Sequence, residues 1–512
     1  MPHTPELEMR SLLAEEEIQQ TFPRAAREEA ERWLEDPRID DPALSDLTGL
    51  PFVTIDHESS RDLDQAAWVK REDDGFAVHY ALADAAYYVR PGSALWEEAL
   101  KRGASYYLPT TMVPMLPREL SEGLVSLNPE VDRRSTVFRT RLDSDGKVVE
   151  TKIIRARIHS RHKLSFDRVQ AFYDDGDDTG LAEGVGASLD ALRDVGLLRM
   201  REAMERDVVR YRRTELDVGV EGMRFVVSEA VRHPVERYNE QLSLLCNIEG
   251  ARILRQHLGD DRVQPIFRVH PPPERDREAD LKGLLTALRK AQSLPKDTWD
   301  PRRARSMAEW LDQLPKEGRL GRIARAVHRQ AVMVNGRSSY RSEPGIHYGV
   351  GAEVYARFSA PMREIVGIYL HKELWEALGG VDPEPERENL ALQDAVVRSA
   401  NRSRDLQRTL NERANEVVLD NLFANGFEGV GTVVGLAHGK VYVLVDDPPL
   451  DVKAYVPHVG EAAGKKLSIG REQVTLRDEN DQIYLRLGDA VKVRVVGRDE
   501  ERKRWKLALT EA

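Results

Sequence analysis

The sequence predicts an α+β protein in three parts: an acidic helical region over 1–45, a mixed domain over 46–426, and a five-stranded OB-type barrel over 427–512. Three observations predict it. Residues 1–45 set helix formers at helical spacing. From 46 to about 158 apolar and polar residues alternate in short runs, and longer helical runs follow. From 427 onward the chain changes to brief β runs punctuated by Gly.

In the first part, "ELEMRSLLAEEEIQQ" and "PRAAREEAERWLED" read as two helices, the second opened by Pro23. "DPRIDDPALSD" then breaks the pattern with two Asp-Pro pairs. A small helix-turn-helix-like appendage is expected. Its twelve acids against five arginines make it a poor grip for phosphate. Most of the acid behind the net charge of −11 sits there, and the nearly neutral remainder can still hold a basic groove. The single cysteine, Cys246 in "QLSLLCNIEG", reads as a buried thiol; zinc held by several thiolates is excluded, and no disulfide can form within the chain. No run approaches ~18 apolar residues, and "MPHTPELEMR" lacks the features of a signal peptide. A cytoplasmic monomer with no membrane partner and no obligate protein partner is expected.

The mixed domain opens with strands in "PFVTID", "QAAWVK", "FAVHYALAD", "STVFRTRLD" and "KVVETKIIRARI". Asp74-Gly75 and Asp145-Gly146 mark hairpin turns. Helices are expected over 163–213, 234–258, 280–335 and 386–424, with a strand in "GMRFVVSEAV". In the third part, "GFEGVGTVVGLAHGKVYVLVDD", "DVKAYVPHV" and "LGDAVKVRVVGRDEERKRWKLALT" supply about five strands, the number of a small closed barrel. Tyr442, Tyr455 and Trp505 are interleaved there with basic residues from Arg486 to Lys506. Cations and aromatics on such a barrel bind single-stranded nucleic acid; the same pattern also serves an ordinary solvated face.

"VTIDHESSRDLDQAAWV", Val53 to Val69, sets Asp56, Asp62 and Asp64 within nine residues, with Glu58 between. Asp62 and Asp64 at spacing two face one side of an extended chain, and a loop folding back brings both near Asp56. Two unit charges ~4 Å apart repel by several kcal/mol at reduced dielectric. A hard divalent cation relieves this; Mg²⁺ takes oxygen ligands and shares substrate phosphate oxygens. Such an ion activates water and stabilises a leaving oxygen. Asp-rich loops also serve as N-caps and solvated turns.

"DLTGLPFVTIDHESSRDLDQA" resembles the first signature of the ribonuclease II family, whose catalytic domain is called RNB: D-L-T-x-L-P-F-x-T-I-D, then six residues on D-x-D-D-A. "YALADAAYYVRPGSALWEEALKRGASYYLPTTMVPMLPRELSEGLVSLNPEVDR" looks like its second block. "YARFSAPMREIVGIYLHK" resembles the third, Y-x-x-F-T-S-P-I-R-R-Y-x-D-L-x-x-H-R. The last segment resembles the S-one-type RNA-binding barrel that closes these enzymes. The resemblance covers 46–512 in order. It implies a processive 3′→5′ exoribonuclease that uses Mg²⁺, hydrolyses single-stranded RNA and releases nucleoside 5′-monophosphates. It implies an RNB catalytic domain over 46–426 whose narrow channel admits single strands only.

The resemblance also implies roles. Asp56, Asp62 and Asp64 match three of four signature aspartates and would hold Mg²⁺, with Asp64 closest to the chemical step. Arg363 matches the arginine on the scissile phosphate. Tyr107 matches an aromatic that stacks on bases near the 3′ end, and Phe225 is a candidate partner. For each, a bland alternative stands: core packing for Tyr107 and Phe225, a surface ion pair for Arg363. The chain departs from the pattern. Gln65 stands where the fourth aspartate belongs, and Glu58 is one conceivable substitute. Glu364, Ile365 and Gly367 replace a base, an aromatic and an acid. The leader is too short for the paired cold-shock domains of the bacterial type enzymes, so the barrel and N-terminal helices are expected to gather RNA. These departures motivate a rival reading, a catalytically impaired homologue acting as an RNA-binding or regulatory protein. A metal-dependent nuclease acting on DNA is another.

Overall fold

The structure is a computed structural model that describes residues 4–205, 216–230, 232–424 and 426–512. The leader forms α1 (Pro5–Glu15) and α2 (Arg24–Glu35). Its acids fasten it to the rest of the chain: Glu15 and Glu16 both pair with Arg413, and Glu29 accepts the Leu95 N–H at 3.0 Å.

The five predicted strands form one sheet. They are β1 (Phe52–Asp56), β2 (Gln65–Glu72), β3 (Gly75–Ala83), β4 (Asp132–Asp143) and β5 (Val148–Ser165). β1 to β4 are neighbours in that order, and the long β5 closes the ring. Its early residues pair antiparallel with β4, from Leu142↔Val148 to Asp132↔His159. Its last residues pair parallel with β1, from Phe52↔Ser160 to Asp56↔Ser165. The strands curl until both edges share one strand, and a two-residue sixth strand, Ser45–Asp46, pairs parallel with Ala156 and Arg157 of β5. Asp145-Gly146 lies in the second turn as expected, with Gly146 at φ +80°, a conformation that suits glycine, whereas the first hairpin turns on Asp73-Asp74 and Gly75 already pairs with Glu72. β3 is buried along its whole length, so it reads as an apolar run rather than an alternating one.

α3 (Ala94–Arg102) leads into the short strand Tyr106–Leu108. The helical run expected over 163–213 splits into Phe166–Asp175 and Val185–Glu205, and its end, 206–213, lies outside the described residues. α4 (Pro234–Gln256) carries Cys246, buried as expected. A two-strand ribbon follows, β6 (Phe267–Val269) against β7 (Ser339–Arg341). Between them run three helices, Arg275–Ala291, Met307–Gln313 and α5 (Gly318–Met333), with their own apolar core around Trp299, Trp310 and Ile323. α6 (Ile365–Ala377) is almost wholly buried, and the 38-residue α7 (Glu386–Phe423) leads to the barrel.

The barrel sheet is β8 (Glu428–Ala437), β9 (Lys440–Val445), β10 (Asp451–Tyr455), β11 (Ala490–Asp499) and β12 (Arg504–Glu511), in the order β10-β9-β8-β11-β12. A short helix, Val456–Ala463, and three minor strands lie between β10 and β11. This is the expected five-stranded OB-type arrangement, and all three aromatics are half-buried in it. α5 lies on the barrel, with Arg322 on Asp446 at 2.6 Å and Arg325 on the same carboxylate at 3.4 Å. Tyr442 packs against that helical core. Trp505 donates its indole N–H to Asp420 of α7 at 2.6 Å and packs on Phe423. Tyr455 keeps cations beside its ring: Arg504 at 4.3 Å and Lys440 at 5.6 Å.

His371, on α6, is wholly buried and meets the Phe358 carbonyl at 3.1 Å through Nε2. Burial chiefly lowers its pKa from 6.5 to about 4. An unfolded chain takes up a proton below 6.5 that the folded chain refuses until about 4. The stability this site contributes is therefore complete above 6.5 and lost as pH falls through that window. His371→Gln keeps a donor but not the titration. The unfolding free energy of wild type relative to this variant is expected to fall by ~1.4 kcal/mol per pH unit across the window. Urea titrations at several pH values check it; parallel profiles for the two proteins would show that His371 does not titrate.

Candidate active site

β1 delivers Asp56 at its C-terminal end, and a loop carries the chain through Asp62 and Asp64 into β2. The loop is pinned between these acids. The Leu63 N–H donates to the Ser126 hydroxyl at 2.9 Å, the Leu63 carbonyl accepts from Leu127 at 3.0 Å, and the Asp64 carbonyl accepts from Ala83 at 2.9 Å. Leu63 and Asp64 are buried, whereas Asp62 stays half-buried.

The segment 355–364 approaches from the other side. The Asp64 carboxylate, 1% exposed as a residue, receives it with both oxygens. Oδ1 accepts the Met362 N–H at 2.8 Å, and Oδ2 accepts Arg363 Nε at 2.5 Å. Asp64 and Arg363, expected at one site, are brought together across 299 positions of sequence. Burial pushes the Asp64 carboxyl up to about 6, with the Arg363 charge opposing. Burial also raises Asp62, again against Arg363. Burial disfavours the Arg363 cation, but the fields of Asp64, Asp62 and Asp56 outweigh it and raise its pKa.

Tyr107 lies on the rim. Its residue is 44% exposed, its hydroxyl donates to Asp62 Oδ2 at 3.3 Å, and Gln407 grips its backbone N–H and carbonyl at 3.0 Å each. The exposed ring is thus held beside Asp62. Phe225, by contrast, is 2% exposed on the hairpin strand Arg224–Glu229 and belongs to the apolar cluster with Met9 and Leu410. Its alternation puts it on the inner face of that ribbon, so core packing is its role. This corrects the expectation that Phe225 partners Tyr107.

Each departure from the signature has a structural counterpart. The Gln65 amide donates to the Ser359 carbonyl, and its oxygen accepts the Tyr80 hydroxyl. It ties β2 to the Arg363 segment. Glu364 caps α6, accepts the Tyr340 hydroxyl at 2.6 Å and pairs with Arg357 at 3.0 Å. Ile365 is fully buried. At Gly367 an added Cβ would lie 2.9 Å from the Pro361 backbone, so no acid fits there. Glu58 offers its carbonyl to Lys163 at 2.6 Å.

Asn247 went unread in the sequence. Fully buried on α4, it accepts the Phe358 N–H at 2.7 Å and the Ser359 N–H at 3.0 Å through Oδ1. Its Nδ2 donates to the hydroxyls of Ser359 at 2.9 Å and Tyr355 at 3.0 Å. It therefore sets the path that ends in Arg363. An amide in an apolar helical run was the available signal.

A three-carboxylate metal cage, as expected of Asp56, Asp62 and Asp64, is not assembled. Among the described residues no group of three or more His, Cys, Asp or Glu side chains is placed to hold a metal ion. The reason is that Arg363 and the Met362 N–H engage both Asp64 oxygens. Asp56 uses Oδ1 for the His57 N–H and the Ser60 hydroxyl, and Asp62 uses Oδ2 for Tyr107. Each of these two retains a second carboxylate oxygen. Two carboxylates suit a Mg²⁺ ion that also takes waters and substrate phosphate oxygens.

The chain belongs to the RNB domain family, whose model matches residues 44–380. It is 25% identical over 475 residues to ribonuclease R of Mycoplasma genitalium, covering 91% of this chain and 63% of that protein. It is 27% identical over 518 residues to ribonuclease R of Escherichia coli K12, covering 97% of this chain and 61% of that protein. The chain thus spans about three-fifths of the length of these relatives. The solved structure of Mycoplasma genitalium RNase R with ribose-methylated single-stranded RNA superposes with a TM-score of 0.87 at 22% identity, covering 99% of this chain and 78% of that one.

Proposed function

We propose that the protein is a hydrolytic 3′→5′ exoribonuclease acting on single-stranded RNA and releasing nucleoside 5′-monophosphates. The observation that carries this reading is the Asp64–Arg363 contact. A buried carboxylate with both oxygens engaged aims a half-buried guanidinium into an acidic shell beside an exposed aromatic. A guanidinium so held suits the charge that develops on a phosphoryl group under attack. Tyr107 stacks on a base near the 3′ end, worth ~1–3 kcal/mol per base and tolerant of sequence. Asp56 and Asp62 would hold Mg²⁺ through their remaining carboxylate oxygens. When bound, the ion supplies Lewis-acid stabilisation of the phosphate and eases deprotonation of water. Asp64 fixes the Arg363 rotamer, and Tyr455 with Arg504 and Lys440 gathers the strand on the barrel.

A time course on 5′-labelled oligoadenylate, with DNA of the matching sequence alongside, tests the reading. Progressive 3′ shortening of RNA alone is expected with Mg²⁺, and chelation should stop it. Shortening of both strands alike would make the protein a general nuclease. The second reading, an RNA-binding homologue with impaired catalysis, draws on Gln65, whose amide is already engaged at both ends. Full-length RNA persisting at high protein concentration, with binding intact, would select it.

Gln65→Asp provides a separate check. A carboxylate cannot donate to the Ser359 carbonyl, and it places two acceptors together in a half-buried space. The variant is expected to melt several degrees below wild type, since ~1–3 kcal/mol follows from an unmet buried group. If position 65 can join the metal shell, Mg²⁺ raises the variant's midpoint more than wild type's. Equal rises would keep position 65 out of the shell.

A further inference from the structure

Glu364 replaces a base, yet the space around it is basic. Arg357 Nε lies 3.0 Å from its carboxylate. Arg268 and Arg404 sit 5.9 and 5.7 Å from the Tyr340 ring, whose hydroxyl donates to the same carboxylate. Three guanidiniums thus share one acid. Arg268 and Arg404 have no carboxylate within ion-pair distance among the described residues. Ser338 holds both instead: Arg404 Nη1 donates to its carbonyl at 2.6 Å and Nη2 to its hydroxyl at 3.0 Å, and Arg268 Nε reaches that hydroxyl at 3.3 Å.

The frame is rigid. β6 and β7 pair Arg268 with Tyr340. Asn401 accepts the Tyr340 N–H and donates to its carbonyl, each at 2.9 Å, and the Arg268 N–H donates to the Tyr355 carbonyl at 2.8 Å. All three arginines are half-buried, so they remain within reach of solvent. Burial, and then the charge of Arg268, lower the Arg404 pKa, as expected of like charges held together. Two guanidiniums preset by neutral Ser338, beside a third on the shared acid, leave excess positive charge that matches the planar, charge-assisted recognition of phosphate. Glu364 directly follows Arg363 in the chain, so the cluster lies beside the reacting end.

We propose that Arg268, Arg404 and Arg357 form a second phosphate subsite, taking a backbone phosphate on the 5′ side of the linkage that meets Arg363. This rests on the RNA-hydrolase reading. A free phosphate monoester, such as a released mononucleotide, offers similar chemistry, and the test separates the two.

Binding of a 5′-fluorescein oligoadenylate to the full chain is followed by anisotropy in EDTA over a range of salt. In Arg268→Gln/Arg404→Gln the slope of log affinity against log salt should flatten by about 0.7 for the phosphate released. Arg268→Lys/Arg404→Lys should restore most of it. In wild type, one uncharged methylphosphonate linkage upstream of the scissile position should weaken binding, and the Gln variant should be blind to it. An unchanged slope in a folded Gln variant overturns the subsite, and so does a wild-type scan with no position-specific penalty, which needs no variant. AMP competing at oligonucleotide-like concentrations, and only with wild type, would overturn the backbone assignment. Wild type that binds no RNA at all would instead overturn the functional reading.

Discussion

Asp64→Asn is expected to lower kcat on single-stranded RNA by about a thousandfold while leaving the affinity for RNA within a few-fold of wild type. The substitution keeps the shape of the side chain, and Asn Oδ1 can still accept the Met362 N–H. The other position becomes an N–H₂ group facing Arg363 Nε, donor against donor. Arg363 then loses the partner that fixes it, and the acidic shell loses one charge that holds the guanidinium in place. Preorganised donors lose most of their catalytic worth once they must be reoriented during the reaction. On the proposed function, RNA affinity would come from stacking and backbone contacts elsewhere, so it should survive. Single-turnover rates and anisotropy on one preparation separate the two quantities. A kcat within a few-fold of wild type would remove Asp64 from the mechanism, and loss of binding in step with kcat would make its role structural.

The strands around this site were legible because their signals are local. Apolar alternation and Asp-Gly turns placed β1 to β5, and the chain's change of texture placed the barrel. The contact of Asp64 with Arg363 spans most of the domain, and only resemblance between separated blocks linked them. Other features depended on which face a residue presents. "MRFVV" fits an exposed aromatic or a buried one equally, and the packing of α1 and α7 against the hairpin decides it for Phe225. Tyr442, half-buried like Tyr455, packs against a helical core that includes α5, more than a hundred residues earlier. The altered signature residues looked like losses. In the fold, Gln65 and Glu364 each acquire partners from distant segments, and Gly367 fills a position with no room for a side chain.

Asn247 is the residue whose removal should most disturb the site without touching substrate. Asn247→Ala leaves the N–H groups of Phe358 and Ser359 buried without their acceptor, and the Ser359 and Tyr355 hydroxyls lose a donor. Unmet buried groups are destabilising by ~1–3 kcal/mol each, so a total loss of roughly 3–5 kcal/mol is expected even after partial relaxation. Some of this falls on the fold and some on the path of 355–364. The partition can be read. Phe358 also packs against Gly250 on α4, where an added Cβ would lie 2.4 Å from its ring, so the segment keeps a steric anchor when the amide is lost. The protein should therefore fold with a lowered denaturation midpoint, yet place Arg363 less well. Below that midpoint kcat should fall while the Michaelis constant changes little, if Arg363 meets the phosphate most strongly in the transition state as proposed. Asn247→Asp retains the two backbone contacts, loses the donations to the hydroxyls and adds a buried charge. It should lose stability while keeping more of kcat than Ala does. If both variants lose stability but turn over RNA at the wild-type rate, Asn247 supports the fold alone, and the position of Arg363 is set by Asp64 and Gln65.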